Sequence, residues 1–269
     1  MVKKLFKHEF VAYLRTLLPV YIIMMAIAGF GRLIMIFETD TVAYNLASGS
    51  SVVLFVVAVM TALIMTMFVG VIRFYKNLFT GEGYLSFTLP VTPKQHLWVK
   101  STTAVACTLI TLVVILVSCC VMVKGPLFIE LIKASMYVLK NCWEVCGAHT
   151  ILYVIELIVL FLVALYSTYM QYYSCITIGQ LARKNRVVAA IGVYFGYYVI
   201  SQIISTVFIM SLAIYEHLIP YYEIAEFINY HPNAAIHLFL LSLILICALL
   251  GLLFFAINRY IMTKKLNLE

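Results

Sequence analysis

Charged residues are scarce in this 269-residue chain, at 11% of the total, and acidic residues are the scarcest, with 11 Asp and Glu against 18 Lys and Arg. Apolar residues make up 65% of the chain and the mean hydropathy is +1.06, whereas a water-soluble domain is roughly half apolar. The composition therefore excludes a water-soluble globule and predicts a polytopic membrane protein. The net charge of +7 is spread over short segments between apolar runs, which is typical of membrane topology and not of a nucleic-acid-binding surface.

Motifs for catalysis are missing as well. The sequence has no phosphate-binding loop of the form GxxxxGK followed by Ser or Thr, so if ATP drives this protein, ATP and Mg²⁺ are expected in a partner subunit. It has no His-Glu-x-x-His helix, no Gly-x-Ser-x-Gly turn and no paired carboxylates within the apolar runs. We therefore expect no enzyme active site, no cofactor and no metal site in this chain.

Cysteines are few and odd in number, and five of the seven lie inside apolar runs, where cysteine behaves as a small hydrophobic residue. The other two, Cys142 and Cys146, fall in a predicted outward loop with His149 close by. We interpret them as two half-buried thiols, with a disulfide or a metal site as the alternatives.

Six apolar runs have at least the ~20 residues that are needed to cross the membrane. They lie near 17–37, 52–72, 97–123, 150–181, 187–214 and 234–258. Lys and Arg are concentrated before the first run, after the second, after the fourth and after the sixth, which predicts cytoplasmic termini.

Residues 1–15 are basic and amphipathic, and they predict a separate helix in the inner membrane interface. Within it, Glu9 projects from the apolar arc, as a local partner of a lysine or as a contact for a cytoplasmic protein.

The stretch Arg73–Lys100 is the longest segment that is neither apolar enough to span a membrane nor acidic. Gly81-Glu82-Gly83 interrupts any helix that continues from the second run, because glycine is unfavourable inside helices. A short amphipathic helix is predicted at 84–89, where Pro90 ends it. Thr92-Pro93-Lys94-Gln95 then predicts a capped start for the third span.

This stretch resembles the coupling element in the membrane subunits of ATP-binding-cassette exporters of the type-2 permease class. In that family a glutamate-bearing helix, a Leu-Pro pair and a lysine at the head of the third span form the element. The corresponding residues here are Glu82, Leu89-Pro90, and Lys94 or Lys100. The number and order of the spans extend the resemblance over the whole chain, which looks most like the six-span permeases of bacterial peptide-toxin exporters of the phenol-soluble-modulin type.

Pattern and resemblance together predict an all-α integral membrane protein of one domain, 1–269. It has six transmembrane helices, an N-terminal amphipathic interfacial helix, and a short cytoplasmic coupling helix between spans two and three. The resemblance implies a permease subunit that works as a homodimer with a cytoplasmic ATPase in a bacterial plasma membrane and exports amphipathic peptides or other membrane-partitioning molecules. It also implies a pair of short re-entrant helices within 215–233. The residues expected to contact the ATPase are Glu82, Tyr84, Leu85, Phe87 and Leu89.

Two further sets of residues are candidates for function. Tyrosines and a glutamine in the inner halves of spans four and five either line a path for cargo or pack between helices. They are Tyr166, Tyr169, Tyr173, Tyr194, Tyr197, Tyr198 and Gln202. Arg32 and Glu156 lie at a similar depth in spans one and four and form a candidate intramembrane ion pair, with Arg32 reaching out to Glu38 or Asp40 as the alternative.

Two other classes of function are compatible with six spans. A non-transporting membrane scaffold or sensor subunit is the main alternative, and the presence of an ATP-hydrolysing partner separates it from an exporter subunit. An ion-coupled carrier is disfavoured, because Glu156 is the only acidic residue that the spans offer for a proton relay.

Overall fold

The computed structural model of the chain describes residues 2–37, 39, 41–80, 83, 91–123, 125–182, 184–214 and 221–264, and the regular structure of these residues is entirely α-helical. The helices are α1 (Val2–Ile36), α2 (Val42–Phe79), α3 (Pro93–Met122), α4 (Gly125–Cys146), α5 (His149–Gly179), α6 (Arg186–Ile214), α7 (Tyr221–Tyr230) and α8 (Pro232–Lys264). Six of them, α1, α2, α3, α5, α6 and α8, are long and apolar enough to cross a membrane. The prediction of an all-α protein with six helices that are able to span a membrane is therefore confirmed.

The N-terminal helix differs from the prediction. A separate interfacial helix at 1–15 is not confirmed, because α1 runs without interruption from Val2 to Ile36 and includes Pro19. Tyr13 is buried, and its hydroxyl donates a hydrogen bond to the carbonyl of Thr66 at 2.6 Å. The N-terminal part of α1 is thus packed against α2 and continues directly into the span.

Two segments that were expected to lie outside the spans also contain helices. The predicted outward loop between spans three and four holds the 22-residue helix α4, which was missed because its apolar residues recur at helical spacing and do not form a continuous run. Between α6 and α8, where a pair of short helices was expected, the described residues form the 10-residue helix α7.

The start of α3 matches its prediction. The Thr92 side chain accepts from the backbone N–H of Gln95, the Gln95 side chain accepts from that of Thr92, and Pro93 opens the helix.

The chain divides into two compact units, Met1–Cys142 and Trp143–Glu269, and the single domain expected from the sequence stays a prediction. In the first unit, α1, α2 and α3 pack against one another around an apolar core that includes Met24, Phe55 and Met122. Close packing is possible there because small residues lie at the contacts. A Cβ atom added to Gly31 would approach the terminal methyl group of Met122 to 3.2 Å.

In the second unit, α5 packs against α6 and more extensively against α8, while α7 packs against α8. The chain packs closely where α5 meets α6 at Gly179, since an added Cβ would lie 2.6 Å from atoms of Ala190. Gly192 and Gly196, four residues apart in α6, have no described atom outside the backbone of their own helix within 4 Å of such a Cβ. Gly179, at the end of α5, therefore leaves no room for a side chain beside α6.

Candidate functional site

The five residues predicted to contact an ATPase, Glu82, Tyr84, Leu85, Phe87 and Leu89, lie outside the described residues. The helices on either side of them are described. Helix α2 ends at Phe79 and α3 begins at Pro93. The contacts that hold these two helix ends decide how a displacement of the connecting segment would reach the spans.

A buried cluster of charged side chains joins these ends to α1. Oε1 of Glu9 accepts hydrogen bonds from Nζ of Lys100 at 2.7 Å and from Nδ2 of Asn77 at 3.0 Å. Oε2 of Glu9 accepts from Nη2 of Arg73 at 3.1 Å. The side chains of Lys100, Glu9 and Arg73 are only 5%, 11% and 24% exposed. One carboxylate from α1 thus connects α2 and α3.

Helix geometry explains why these residues meet. Arg73 and Asn77 are four residues apart in α2 and therefore lie on the same face. They occupy roughly the last two turns of α2, and Lys100 lies about two turns into α3. Both helices consequently present cationic or amide groups beside the connection between them, and Glu9 in α1 is the acceptor that they share. We name Glu9, Arg73, Asn77 and Lys100 the Glu9 cluster.

The charges of the Glu9 cluster do not cancel, because a single carboxylate faces a guanidinium and an ammonium group. The Nε atom of Arg73 is buried and has no hydrogen-bond partner among the described residues. Loss of Glu9 would leave two cations close together, and Lys100 would have little access to water. The partners of Glu9 lie 64, 68 and 91 residues away in the chain, whereas the sequence suggested a neighbouring lysine or a cytoplasmic protein.

Hydroxyl groups connect the same three helices further along the bundle. Besides the bond from Tyr13 to the carbonyl of Thr66, the hydroxyl of Tyr21 lies 2.6 Å from Oγ1 of Thr111, which lies 2.9 Å from Oγ1 of Thr66. In a largely apolar bundle such bonds fix the relative positions of helices, because few alternative partners exist nearby. The first unit therefore has polar connections at several levels along α1, α2 and α3.

The candidate cargo-path residues fall into two groups in the second unit. Tyr169 and Tyr173 are buried, with ring centroids 6.2 Å apart, so these two pack between helices as one of the two interpretations expected. Tyr166 is half-buried, as is Tyr197, whose ring lies 5.5 Å from that of Phe254.

The second group lies on α6. Tyr194, Tyr198 and Gln202 follow one another at intervals of four residues, so they share one face of the helix. All three are exposed on the second unit. This face carries hydroxyl and amide groups in a helix whose residues are mostly apolar, and its role as part of a cargo path stays a prediction.

Each member of the candidate ion pair has a partner within its own unit. Arg32 donates from Nη1 to the carbonyl of Val123 at 3.3 Å, at the C-terminal end of α3, where a cation is favoured by the unpaired carbonyls. In the second unit, Nδ1 of His237 lies 2.8 Å and 3.0 Å from the two carboxylate oxygens of Glu156. The alternative partners Glu38 and Asp40 lie outside the described residues. A direct pair between Arg32 and Glu156 stays a prediction.

The contact between Glu156 and His237 belongs to a cluster of polar side chains that the sequence did not reveal. Nε2 of His237 lies 3.0 Å from Nδ1 of His149, and the hydroxyl of Tyr153 donates to Oδ1 of Asn233 at 2.9 Å. His149, Tyr153 and Glu156 recur at spacings of four and three along α5, which places them on one face. That spacing, repeated by Asn233 and His237 in α8, was the signal that the sequence contained.

Cys142 and Cys146 both lie in α4. Neither of them is joined by a disulfide, and the same holds for the other five cysteines, which lie in other helices. Within the described ranges no group of three or more His, Cys, Asp or Glu side chains is arranged to hold a metal ion.

Comparison with protein-family models, with curated proteins and with solved structures finds no match for this chain. Its function is therefore inferred from its own residues: six apolar helices, the Glu9 cluster beside the α2–α3 connection, and the polar face of α6.

Proposed function

We propose that this chain is the permease subunit of an ATP-driven exporter in a bacterial cytoplasmic membrane, with both termini in the cytoplasm. ATP and Mg²⁺ would be bound by a separate ATPase subunit, and a second copy of the permease would complete the translocation path. The cargo would be an amphipathic peptide or another molecule that partitions into membranes. The six apolar helices support the membrane part of this proposal, and the resemblance of residues 82–100 to a coupling element supports the part that concerns the motor.

The Glu9 cluster is the observation that carries the proposal. A permease without its own nucleotide site receives mechanical work through a contact with its motor, and the spans follow only if the helix ends beside that contact are held together. Glu9 links the end of α2 and the beginning of α3 to α1 through hydrogen bonds of 2.7 to 3.1 Å. A force applied to the connecting segment would therefore move three helices together.

The exposed face of α6 supports a path for cargo. A Gln side chain such as Gln202 is costly to place against hydrocarbon without a partner, and Tyr194 and Tyr198 add hydroxyl groups on the same face. Amphipathic molecules bind well to surfaces that combine aromatic rings with hydrogen-bonding groups. This face is consequently the part of the second unit that fits such a cargo best.

Association with an ATPase tests the proposal. The tagged chain would be purified from membranes of its native host, and ATP hydrolysis and co-purifying subunits would be measured for the wild type, Glu82→Ala and Phe87→Asp. We expect both variants to insert normally and to weaken ATPase association by about tenfold, the effect of losing one good interface contact. Glu130→Ala is the matched control, because Glu130 lies on α4, away from the α2–α3 connection in sequence, and it should bind the ATPase normally.

Two outcomes would contradict the proposal. Undiminished ATPase binding and cargo export in both variants would show that this segment does not couple the motor to the spans. Purification without any ATP-hydrolysing partner would favour the membrane scaffold or sensor subunit instead.

A further inference from the structure

Helix α4 is amphipathic along its whole described length. At 100° per residue its four charged side chains, Glu130, Lys133, Lys140 and Glu144, fall within an arc of about 80°. Tyr137 and Asn141 lie on or next to that arc. The opposite side is mostly apolar and carries Phe128, Leu131, Ile132, Val138, Leu139, Cys142 and Trp143. Ser135 also lies there, and its hydroxyl donates to the carbonyl of Ile132 in the same helix at 2.8 Å.

Residues on the apolar side of α4 are exposed in the part of the chain that the structure describes. Leu131 is 61% exposed, Leu139 is 54% exposed and Trp143 is 50% exposed. A continuous apolar face of this kind on a folded protein marks a surface that binds something apolar. The question is which partner covers it.

The chain on both sides of α4 answers this question. Two residues separate α4 from the end of α3 at Met122, and two separate it from the start of α5 at His149. Both α3 and α5 are long and apolar enough to cross the membrane. Gly147, with a φ of +57°, ends α4 by the left-handed conformation that glycine adopts readily, and its N–H bonds the carbonyl of Trp143 at 2.8 Å. If α3 and α5 cross the membrane, connections of two residues keep both ends of α4 close to the membrane surface.

Helix α4 does not fit the requirements of a seventh span. With 22 residues it is about 33 Å long, yet four charges on one side would be placed in hydrocarbon if it crossed alone. A crossing would also move Arg183, Lys184 and Arg186 to the side opposite Lys3, Lys4 and Lys7, against the usual distribution of positive charge.

We propose that α4 lies in the interfacial region of the outer leaflet of the cytoplasmic membrane. Its apolar side faces the boundary between headgroups and acyl chains, and its charged side faces water. The partner is the phospholipid bilayer itself. Two lysines and two glutamates give the charged side no net charge, so the interaction depends on apolar contact and not on anionic headgroups. This differs from basic interfacial helices, which are attracted by anionic lipids.

Tryptophan fluorescence tests the proposal, because the chain contains only Trp98 and Trp143. In Trp98→Phe, Trp143 is the sole tryptophan. The protein would be reconstituted into phosphatidylcholine vesicles that contain lipids brominated at shallow acyl positions, or would be exposed to iodide on both sides of plain vesicles. The control is Tyr137→Trp in the Trp98→Phe, Trp143→Phe background, since position 137 lies in the middle of the charged side and is 66% exposed.

We expect brominated lipid to quench Trp143 at least about twofold more than the tryptophan at position 137, and iodide to quench it less, as for a ring in the interface. Addition of phosphatidylserine should leave both values unchanged. Iodide quenching of Trp143 equal to that of the control would overturn the proposal, because the apolar side would then face water. Protection of Trp143 from both quenchers would also overturn it and would indicate a protein partner, and a strong effect of phosphatidylserine would refute the independence from anionic lipid.

Discussion

In the first unit, charged side chains of the Glu9 cluster connect the helices beside the α2–α3 connection. In the second unit, the uncharged side-chain amide of Asn258 connects α8 to α5. Asn258 in α8 is fully buried. Its Nδ2 donates to the carbonyl of Met170 at 3.2 Å and to Oγ of Ser174 at 2.9 Å, and its Oδ1 accepts from Oγ1 of Thr177 at 2.7 Å. The amide thus has three partners, all in α5.

The two arrangements respond differently to the loss of one partner. Removal of an uncharged partner leaves an unsatisfied dipole, which costs about 1–3 kcal/mol. Removal of one charge from a buried ion pair leaves a lone charge and costs about 3–5 kcal/mol. The loss of one partner should therefore cost more free energy in the Glu9 cluster than among Asn258 and its three partners. The Glu9 cluster lies beside the segment that we propose receives mechanical work.

The largest effect is expected for Glu9→Gln. The substitution preserves shape but leaves Lys100, whose side chain is 5% exposed, without its carboxylate, so the free energy of unfolding should fall by about 3–5 kcal/mol. Thermal unfolding in detergent measures the loss. Glu9→Gln combined with Lys100→Met should be more stable than the sum of the single losses, because the buried ammonium group is removed together with the carboxylate that it binds. Strict additivity would show that Glu9 and Lys100 do not depend on each other.

An intermediate effect is expected in the second unit. Thr177→Ala removes the hydroxyl that bonds Oδ1 of Asn258 and should cost about 1–2 kcal/mol. Thr168→Ala is the matched control, since its hydroxyl donates to the carbonyl of Ala164 in its own helix, at 2.8 Å, and it should cost less. The comparison of the two units would fail if Thr177→Ala destabilised the protein as much as Glu9→Gln.

Several features were predictable because they depend on local sequence. Apolar runs of sufficient length identify the six spans, and the capping box of Thr92 and Gln95 identifies the start of α3, since both signals lie within a few consecutive residues. Helix α4 has an equally local signal in its 3.6-residue pattern. It was interpreted as a loop because Lys133, Lys140 and the glutamates interrupt its hydropathy.

The partners of Glu9 were not predictable in the same way. Arg73 and Lys100 have ordinary positions in the sequence at the edges of apolar runs, where topology alone explains positive charge. Only the packing of α1 against α2 and α3 brings them to one carboxylate. For the same reason the pairing of Glu156 with His237, 81 residues away, was not anticipated, although both residues lie at helical spacing from other polar groups.

The smallest effect concerns Glu156, whose partner decides whether the second unit contains a charge pair of its own. The side chains of His237 and Glu156 are 18% and 17% exposed, so water screens their interaction more than that of Lys100 and Glu9, and a coupling free energy of about 0.5–1 kcal/mol is expected. Two double-mutant cycles measured by thermal unfolding in detergent separate the possible partners: Glu156→Gln with His237→Gln, and Glu156→Gln with Arg32→Met.

The hydrogen bonds within the second unit predict coupling in the first cycle. Coupling in the second cycle would support the pair between Arg32 and Glu156 expected from the sequence. Coupling with Arg32 alone would mean that Glu156 depends on the first unit for its counter-charge. The comparison of the two units would then no longer hold, because the second unit would not supply its own polar partners.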